Sequence, residues 1–455
     1  MKLNKKTMML LSSLSLFIFT ACEDNKDDEA AAKTIEVPAT FTFQSRFDDQ
    51  SSVSYSGQVV RNLLINDLKT QMGTDAGSKN PATLLSMMAN DDANRAILSA
   101  SGKSTVQTKY HDISTSHLND RLDAVADITI PGYDTDAKTL VVGMLNETAA
   151  TGKTRASGIR LDQMVQKTLW GAISYWQATS KYMSKVPTED NTVAVDGKNY
   201  TKMEHYWDES FGYFGAALDY NTGYTDATRK SGPNVDSNSD GKIDFKKDFN
   251  VGWAVTAAKR DLCSACGNYD YTKTIFDAYL KGRTMITNQE PLAGILEQRD
   301  IIMVTWEKVV AAVTQHYIND VAADIAAIIA AGDATVTPAS AATADYENHW
   351  GEMRGYAHGL LYNTLSKVPS SSVTRILSLM GTAPVYPSNG NFDDMQAYHD
   401  KLKGAEMKAI FKQSFGFSDA DIANYYFDLK LRLIDKNGTY NYVPFLFQIV
   451  HKFEY

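Results

Sequence analysis

Two stretches of the sequence, residues 204–218 and 347–361, are near copies that hold most of its candidate chemistry. Aligned without gaps, they share two glutamates, a tryptophan, a glycine, a tyrosine and a leucine, at Glu204/Glu347, Glu209/Glu352, Trp207/Trp350, Gly212/Gly355, Tyr213/Tyr356 and Leu218/Leu361. Carboxylates and histidines lie beside each tryptophan. The copies predict a duplicated helical body with a site where its two halves face each other.

On a helix, side chains three and four positions apart share a face. This spacing places His205, Asp208 and Glu209 together in the first copy, and His349 and Glu352 together in the second. Imidazole and carboxylate groups both donate lone pairs to divalent cations. The five side chains therefore predict a shared site for iron, another divalent metal or a metal-bearing ligand. The alternative is that they only brace their helices and pack in the core.

Several catalytic signatures are missing from the sequence. It has no His-Glu-x-x-His, no Glu-x-x-His and no Gly-x-Ser-x-Gly, which argues against a zincin protease, a ferritin-like di-iron centre and an α/β-hydrolase nucleophile. We therefore assign no catalytic residue, and whether the protein is an enzyme stays open. A metal-dependent hydrolase with Glu209 or Glu352 as general base is the enzymatic alternative.

Glycines recur at Gly351, Gly355 and Gly359, one on each turn of the second copy. Each costs a helix about 1 kcal/mol relative to alanine. Their usual use is to let another backbone approach closely, so this face of the helix is predicted to pack tightly.

A different metal site is indicated by residues 236–244. Their order, Asp-Ser-Asn-Ser-Asp-Gly-Lys-Ile-Asp, matches the first nine positions of an EF-hand loop. The expected Ca²⁺ ligands are Asp236, Asn238, Asp240, Lys242 through its carbonyl, and Asp244. Position twelve is Lys247 followed by Asp248 rather than a glutamate, and a metal-free polar turn is the alternative.

Cys263 and Cys266 are separated by two small residues. Two thiolates are too few for a structural zinc site, and no βαβ pattern of the thioredoxin kind surrounds them. Outside the cytoplasm we expect a local disulfide between them.

The first 21 residues have the features of a secretory signal, with three early lysines before an apolar run at 8–20 that is too short to span a bilayer. Phe-Thr-Ala-Cys at 19–22 resembles a bacterial lipobox, which implies cleavage before Cys22 and attachment of lipid to it. Residues 22–38 are acidic and rich in alanine, as in a disordered tether. The acidic run resembles a surface-export tag. We expect an outer-membrane lipoprotein exposed at the cell surface, which contacts the membrane through its lipid anchor.

Composition bounds the function of the remaining body, residues 39–455. An apolar content of 44% suits a folded body of one large or two medium domains. The net charge of −9 argues against a nucleic-acid partner, because that binding depends on Lys and Arg neutralising phosphates.

The elements that must position these residues are predicted to be helices. Apolar residues recur at helical spacing over 161–183 and 301–329, upstream of the two copies. Further helices are predicted at 58–72, 81–99, 270–284, 394–413 and 418–433. A small hairpin is predicted at 192–201, a short strand at 35–44, and long loops at 219–250, 330–345 and 383–393.

We thus expect an all-α protein, a duplicated helical-bundle body with one small hairpin and long loops. Its related halves are predicted at about 150–225 and 295–367, with C-terminal helices at 394–433.

Five segments together resemble an uncharacterised bacterial surface-lipoprotein family known as a domain of unknown function, whose genes are often found beside imelysin-type proteins and outer-membrane receptors. The segments are 161–164, 203–215, 236–244, 257–261 and 349–355. The resemblance covers nearly all of the chain after the signal. It implies an outer-membrane receptor as a partner.

A looser similarity is to imelysins themselves, duplicated helical bundles implicated in iron acquisition that carry Gly-x-His-x-x-Glu. His349 and Glu352 match its last four positions, and His205 and Asp208 match with aspartate for glutamate. Glu347 stands where the motif has glycine. The similarity implies a role in an iron-type outer-membrane uptake system. A structural or adhesive surface protein stabilised by calcium is the further alternative.

Overall fold

The computed structural model describes residues 35–74, 80–232, 235–261 and 269–423, and the backbone of Arg432–Ile434 and Tyr440–Tyr442. These residues are mainly helical, which confirms the predicted all-α class. Within them we find no helix that combines the length and the apolar character of a membrane span.

The described helices range from a single turn to 40 residues. They are α1 (Ser56–Gly73), α2 (Pro81–Ala89), α3 (Asn119–Asp123), α4 (Ala137–Thr151), α5 (Leu161–Leu169), α6 (Lys202–Phe214), α7 (Asp226–Lys230), α8 (Trp253–Arg260), α9 (Tyr271–Thr287), α10 (Leu292–Ala331), α11 (Ala344–His358), α12 (Ser370–Met380), α13 (Asp393–Leu402), α14 (Ala405–Phe415) and α15 (Asp419–Ile422). Two π-helical stretches, Trp170–Tyr175 and Gln177–Met183, continue α5. Single 3₁₀ turns lie at Leu98–Ala100, Tyr110–Asp112, Ala341–Thr343 and Gly359–Leu361. The short strands β1 (Arg432–Ile434) and β2 (Tyr440–Tyr442) pair antiparallel.

The long helix α10 packs along both α9 and α11, while α11 also packs on α5 and α6 packs on α1 and α9. The tryptophans shared by the two copies, Trp207 on α6 and Trp350 on α11, are fully buried. Each indole N–H donates at 2.9 Å, to the Tyr279 carbonyl and to the Tyr398 hydroxyl respectively. The tryptophan of the repeated motif is therefore a core residue that seats its helix.

The glycine face of α11 packs directly on α5. A Cβ atom at Gly355 would lie 2.7 Å from Cβ of Lys167, and one at Gly351 would lie 3.0 Å from the side chain that precedes α5. A Cβ at Gly171 would lie 2.7 Å from Cα of Gly359. The predicted close approach is confirmed, and it places side chains of α5 against those of α11.

The two predicted strand features are wrong. Within 192–201 the structure has one isolated antiparallel bridge, from Ala194 to Thr201, and within 35–44 it has a bridge from Gln44 to Ser51. Val193 is 61% exposed, so the first segment buries little apolar surface. A short exposed hairpin is marginal on its own.

Some helix bounds also differ from the prediction. The helix predicted at 81–99 ends at Ala89, because Asn90 is left-handed with φ 46° and its side-chain Nδ2 donates to the carbonyls of Ser114 and Ser116. The stretch 394–413 is two helices, α13 and α14, rather than one. The helix predicted at 418–433 is wrong at its end, where β1 begins; residues 424–431 lie outside the described part. Helices α3, α4, α7, α8 and α12 were not predicted.

Candidate functional site

In the first copy, the acidic residues near the start of α6 form a buried ion-pair network. Arg283 of α9 donates from Nε to Asp208 Oδ1 and from Nη1 to Glu204 Oε1, both at 2.9 Å, and all three side chains are almost completely buried. Glu204 also caps α6, because its Oε2 accepts the N–H of Thr201. Burial raises the pKa of Asp208 to about 7, against the opposing effect of Arg283. Because its side chain is fully buried and paired with Arg283, Asp208 lies in the core and is not accessible to solvent.

The other predicted ligands of the first copy, His205 and Glu209, lie close to each other. Glu209 Oε1 accepts from Nε2 of Gln58 on α1 at 2.8 Å, and Glu209 Oε2 is 3.7 Å from His205 Nε2. The His205 ring stacks on Tyr200 with centroids 4.5 Å apart. Burial lowers the pKa of His205, although Glu209 acts the other way. Of the three residues predicted to cluster, His205 and Glu209 lie together while Asp208 pairs with Arg283, and ligand binding by any of them stays a prediction.

The second copy directs its side chains to different neighbours. His349 Nδ1 lies 2.7 Å from Oδ2 of Asp324 on α10. Burial alone would lower the pKa of His349, but Asp324 and other nearby carboxylates raise it to about 9. Glu352 Oε1 lies 3.4 Å from Nζ of Lys167 on α5. Glu352 thus faces a cation and also accepts from Nδ2 of Asn348 at 3.1 Å, whereas its counterpart Glu209 faces an amide and a histidine.

The five predicted ligands do not share partners. The first copy contacts Arg283 and Gln58, and the second contacts Asp324 and Lys167. In the part of the chain that the structure describes, no three His, Cys, Asp or Glu side chains form a group able to hold a metal ion. The metal site shared by all five residues stays a prediction.

The predicted calcium loop folds around its own acidic side chains. Asp236 accepts the backbone N–H groups of Asp240 at 3.2 Å and Gly241 at 2.7 Å, and Asn238 accepts that of Asp240 at 3.0 Å. Asp240 in turn accepts the N–H of Lys242 at 2.9 Å. Gly241 has φ +86°, which the turn requires. The turn geometry fits the EF-hand positions.

The end of the loop is held by two further carboxylates. Asp244 accepts from Nε2 of Gln107, and Asp248 accepts the N–H of Asp244, both at 2.9 Å. Asp248, one residue after position twelve, therefore lies beside the ninth loop position and offers the acidic group that position twelve lacks. Calcium binding itself stays a prediction.

Four other predicted features lie outside the described residues: the signal peptide at 1–21, the lipid-attachment residue Cys22, most of the tether at 22–38, and the cysteine pair Cys263 and Cys266.

A cleft of about 470 Å³ lies among α1, α5, α8, α10 and α11, and we call it the basic cleft. Its charged lining comprises five cations and two carboxylates: Lys69, Lys167, Lys230, Lys259, Arg260, Asp162 and Glu352. Asp162 is already held by Arg160, through bonds of 2.9 and 3.0 Å. The cleft therefore concentrates positive charge in a chain whose net charge is −9.

Lys167 is the most buried cation of the basic cleft, at 3% exposure. Its Nζ donates to the side-chain oxygens of Gln163 at 2.9 Å and Gln166 at 2.6 Å. It also lies 5.1 Å from the ring centroid of Trp170 and 5.5 Å from that of Tyr356. The amine is thus enclosed by amide oxygens and aromatic faces.

The electrostatic surroundings of Lys167 disfavour its charged form. Burial, with a contribution from the neighbouring amine of Lys69, lowers the pKa of Lys167 to about 7, although Glu352 acts the other way. Desolvation and like charges both favour a neutral amine.

Two N–H donors in the wall of the basic cleft have no acceptor among the described residues, Trp170 Nε1 and Asn250 Nδ2. Asn250 is fully buried, and its Oδ1 accepts the N–H of Ala217 at 2.8 Å, which fixes the amide. A buried donor without a partner costs about 1–3 kcal/mol. Directed donors beside cations suit the oxygen atoms of an anion.

Sequence reasoning placed Glu352 in a site but missed the cations around it. One available signal was Lys167 itself, a lysine within the apolar helical stretch 161–183, since lysine is rarely buried without partners. Lys259 and Arg260 stand in the segment 257–261. No sequence pattern indicates that α5 and α8 line the same cleft, so the sequence alone could not predict that their cations lie together.

Residues 38–342 match the model of a family described as a domain of unknown function, DUF4856. This range covers more than half of the chain, so the protein belongs to that family. The range contains the five cations of the basic cleft and the first motif copy, and it ends before α11. No curated protein and no solved structure matches the chain.

Proposed function

We propose that this member of the DUF4856 family is a lipid-anchored binding protein that captures a small anionic ligand in the basic cleft and assists an outer-membrane uptake system. The observation that carries the ligand assignment is the gathering of five cationic side chains around one cleft in an acidic protein. The anchor rests on the lipobox resemblance at Cys22. The uptake role rests on the resemblance to lipoproteins found beside imelysin-type proteins and receptors.

The charges of the basic cleft favour an anion on simple electrostatic grounds. Like charges lining one concave surface repel one another, and a bound anion offsets that repulsion. Trp170 and Asn250 add N–H donors with fixed directions. A cleft of about 470 Å³ has the size typical of small-molecule sites. Carboxylate or phosphate groups therefore match this lining.

An anionic metal chelate fits the same chemistry. Its carboxylate oxygens would contact Lys69, Lys259 and Arg260, while the metal would be held by the chelator. In this proposal the protein recognises the ligand rather than the bare ion, and no cluster of metal-ligating side chains is needed.

Calorimetric titration of the purified protein with citrate and with ferric citrate tests the proposal. We expect both to bind, with affinity that falls as ionic strength rises. The variant Lys69→Gln/Lys259→Gln should weaken binding by about tenfold or more, because two charges of the lining are lost. Lys401→Gln/Lys408→Gln removes two charges from exposed positions on α13 and α14 and serves as the matched control. Absence of binding, or an equal loss in the control, contradicts the proposal.

We also propose that Ca²⁺ binds the loop at 236–248. The turn at Gly241 and the inward-directed oxygens of Asp236 and Asp240 support it. Thermal unfolding should shift upward with calcium but not with magnesium, since ligand binding stabilises the folded state by RT ln(1 + [L]/Kd). The variant Asp236→Asn should lose that shift. Equal shifts with both ions would instead indicate a general salt effect.

A further inference from the structure

The amine of Lys167 is held unlike the amine of a structural ion pair. Its two short bonds go to the neutral amides of Gln163 and Gln166, and the nearest carboxylate oxygen, on Glu352, is 3.4 Å away. Gln163 is itself oriented by a 2.7 Å bond to Asn348 of α11. Neutral acceptors hold the nitrogen in place without fully compensating its charge.

Lys167 also lines an accessible cleft rather than a sealed core. Burial lowers the pKa of Lys167 to about 7, so its amine loses its proton far more readily than that of an exposed lysine. A desolvated lysine beside other cations is a nucleophile suited to carbonyl carbon. Glu352 lies close enough to relay protons to and from it.

We infer that Lys167 forms a protonated imine with the carbonyl carbon of a small anionic ligand, such as a 2-oxo carboxylate, bound in the basic cleft. This inference rests on the proposed function for the negative charge of the ligand. It adds covalent chemistry that anion binding alone does not require.

The reaction balances with residues already present. Glu352 takes a proton from the Lys167 ammonium, and the resulting amine attacks the carbonyl carbon to form the N–C bond. Glu352 gives its proton to the carbonyl oxygen and then accepts one from the new ammonium nitrogen, which yields a carbinolamine. Glu352 returns that proton to the hydroxyl group, the C–O bond breaks, water leaves, and the nitrogen lone pair closes the C=N bond.

The product keeps one N–H and a positive charge on nitrogen. That N–H retains one of the two glutamine bonds. The ring faces of Trp170 and Tyr356 lie within 5.5 Å of the original nitrogen position and continue to stabilise the cation. The carboxylate of the ligand would be held by Lys69 and Lys259, which line the same cleft.

Reductive trapping tests this inference. The purified protein is incubated with pyruvate and cyanoborohydride, and intact mass and peptide mapping locate the reduced adduct. We expect the adduct on Lys167 at a rate about a hundredfold above that of any exposed lysine, with the rate rising with pH through about 7. Lactate, a matched anion without the ketone, should give no adduct.

Three variants separate chemistry from packing. Lys167→Arg keeps the charge and cannot form an imine, so trapping should fall to the background rate of the exposed lysines. Glu352→Gln should slow trapping, whereas Glu209→Gln, at the equivalent position of the first copy, should not. An adduct spread evenly over surface lysines, or one that spares Lys167 in the unaltered protein, overturns the inference even if Lys167→Arg fails to fold.

Titration with citrate keeps the two proposals distinct. If citrate binds but pyruvate is not trapped on Lys167, the imine inference fails and the proposed function stands. If Lys167 is trapped while no anion binds in a salt-dependent way, the proposed function fails and the reactive lysine stands.

Discussion

The two motif copies share six aligned residues, but their carboxylates lie in different electrical surroundings. In α6 the carboxylates of Glu204 and Asp208 meet Arg283 inside the core, with almost no exposure. In α11 the carboxylate of Glu352 meets Lys167 at the wall of the basic cleft. The difference shows that a repeated motif specifies how its helix packs, while the neighbouring helix decides which chemistry its side chains acquire.

The shared residues with packing roles behave alike in both copies. Glu204 caps α6 through the N–H of Thr201. Glu347 holds the chain before α11 by accepting from the Ala339 N–H at 2.6 Å and the Thr343 hydroxyl at 2.9 Å. Both glutamates tie a loop to the first turns of a helix. The copies diverge one to two turns later, at Glu209 and Glu352.

The largest expected effect comes from removing Arg283 from the buried ion-pair network of the first copy. Arg283→Met leaves two buried carboxylates without their cation, and we expect a loss of about 3–5 kcal/mol in the free energy of unfolding. Urea titration followed by circular dichroism measures it. Arg375→Met is the control, because Arg375 pairs with Glu406 at the surface and should cost less than about 1 kcal/mol. Similar losses in both variants would contradict the buried network.

A smaller effect is expected from separating α5 and α11. Gly355→Ala introduces a Cβ atom 2.7 Å from that of Lys167, and we expect a loss of about 1–3 kcal/mol from overpacking. Gly143→Ala on α4 meets nothing within 4 Å and should stabilise the helix by up to about 1 kcal/mol. Thermal unfolding compares the two, and stabilisation by Gly355→Ala would show that the helices are not in close contact.

The histidines of the two copies should differ in pH dependence. The folded-state pKa of His349 is raised to about 9 from an ordinary value of 6.5, so its stabilisation is complete below pH 6.5 and is lost as pH rises to about 9. The advantage of the unaltered protein over His349→Gln should shrink by about 1 kcal/mol across that range, since the pair is partly exposed. Urea titrations at several pH values measure it.

The matched variant in the first copy is His205→Gln. Burial lowers the pKa of His205, so well above pH 6.5 the ring is neutral in both folded and unfolded chains, and there the difference should not vary with pH. A pH-independent difference for His349→Gln would contradict its charged pairing with Asp324.

The smallest expected effect concerns the equivalent glutamates. Glu352→Gln removes a negative charge from the basic cleft and should tighten citrate binding by about threefold. Glu209→Gln removes the same charge from the first copy and should leave the affinity unchanged. Calorimetric titration of both variants compares them, and equal effects would show that the charge acts through the whole molecule rather than within the cleft.

The sequence allowed the helical class to be predicted, because the apolar spacing around Leu161 and along α10 repeats with the helical period. It also predicted the glycine face of α11. It failed where long-range contacts decide the outcome: Asn90 ends α2 through bonds to residues more than twenty positions later. The prediction of a hairpin at 192–201 was wrong because turn residues alone do not bury apolar surface.

Of the seven charged residues that line the basic cleft, only Glu352 was predicted from the sequence as a site residue. Glu352 was found because the motif repeats. Lys69, Lys167 and Lys259 belong to three helices that meet in space without any common spacing in the chain. Their gathering depends on tertiary packing, which one sequence does not reveal.

The glycine face of α11 also restricts how the length of that helix can change. Each residue added to an α-helix turns everything after it by about 100° around the axis. An insertion between Gly351 and Gly355 would swing Gly355 away from α5 and bring a bulkier side chain to face Lys167. Length variation in this protein should therefore be tolerated in the loop before α11 and rejected inside it, whatever residue is inserted.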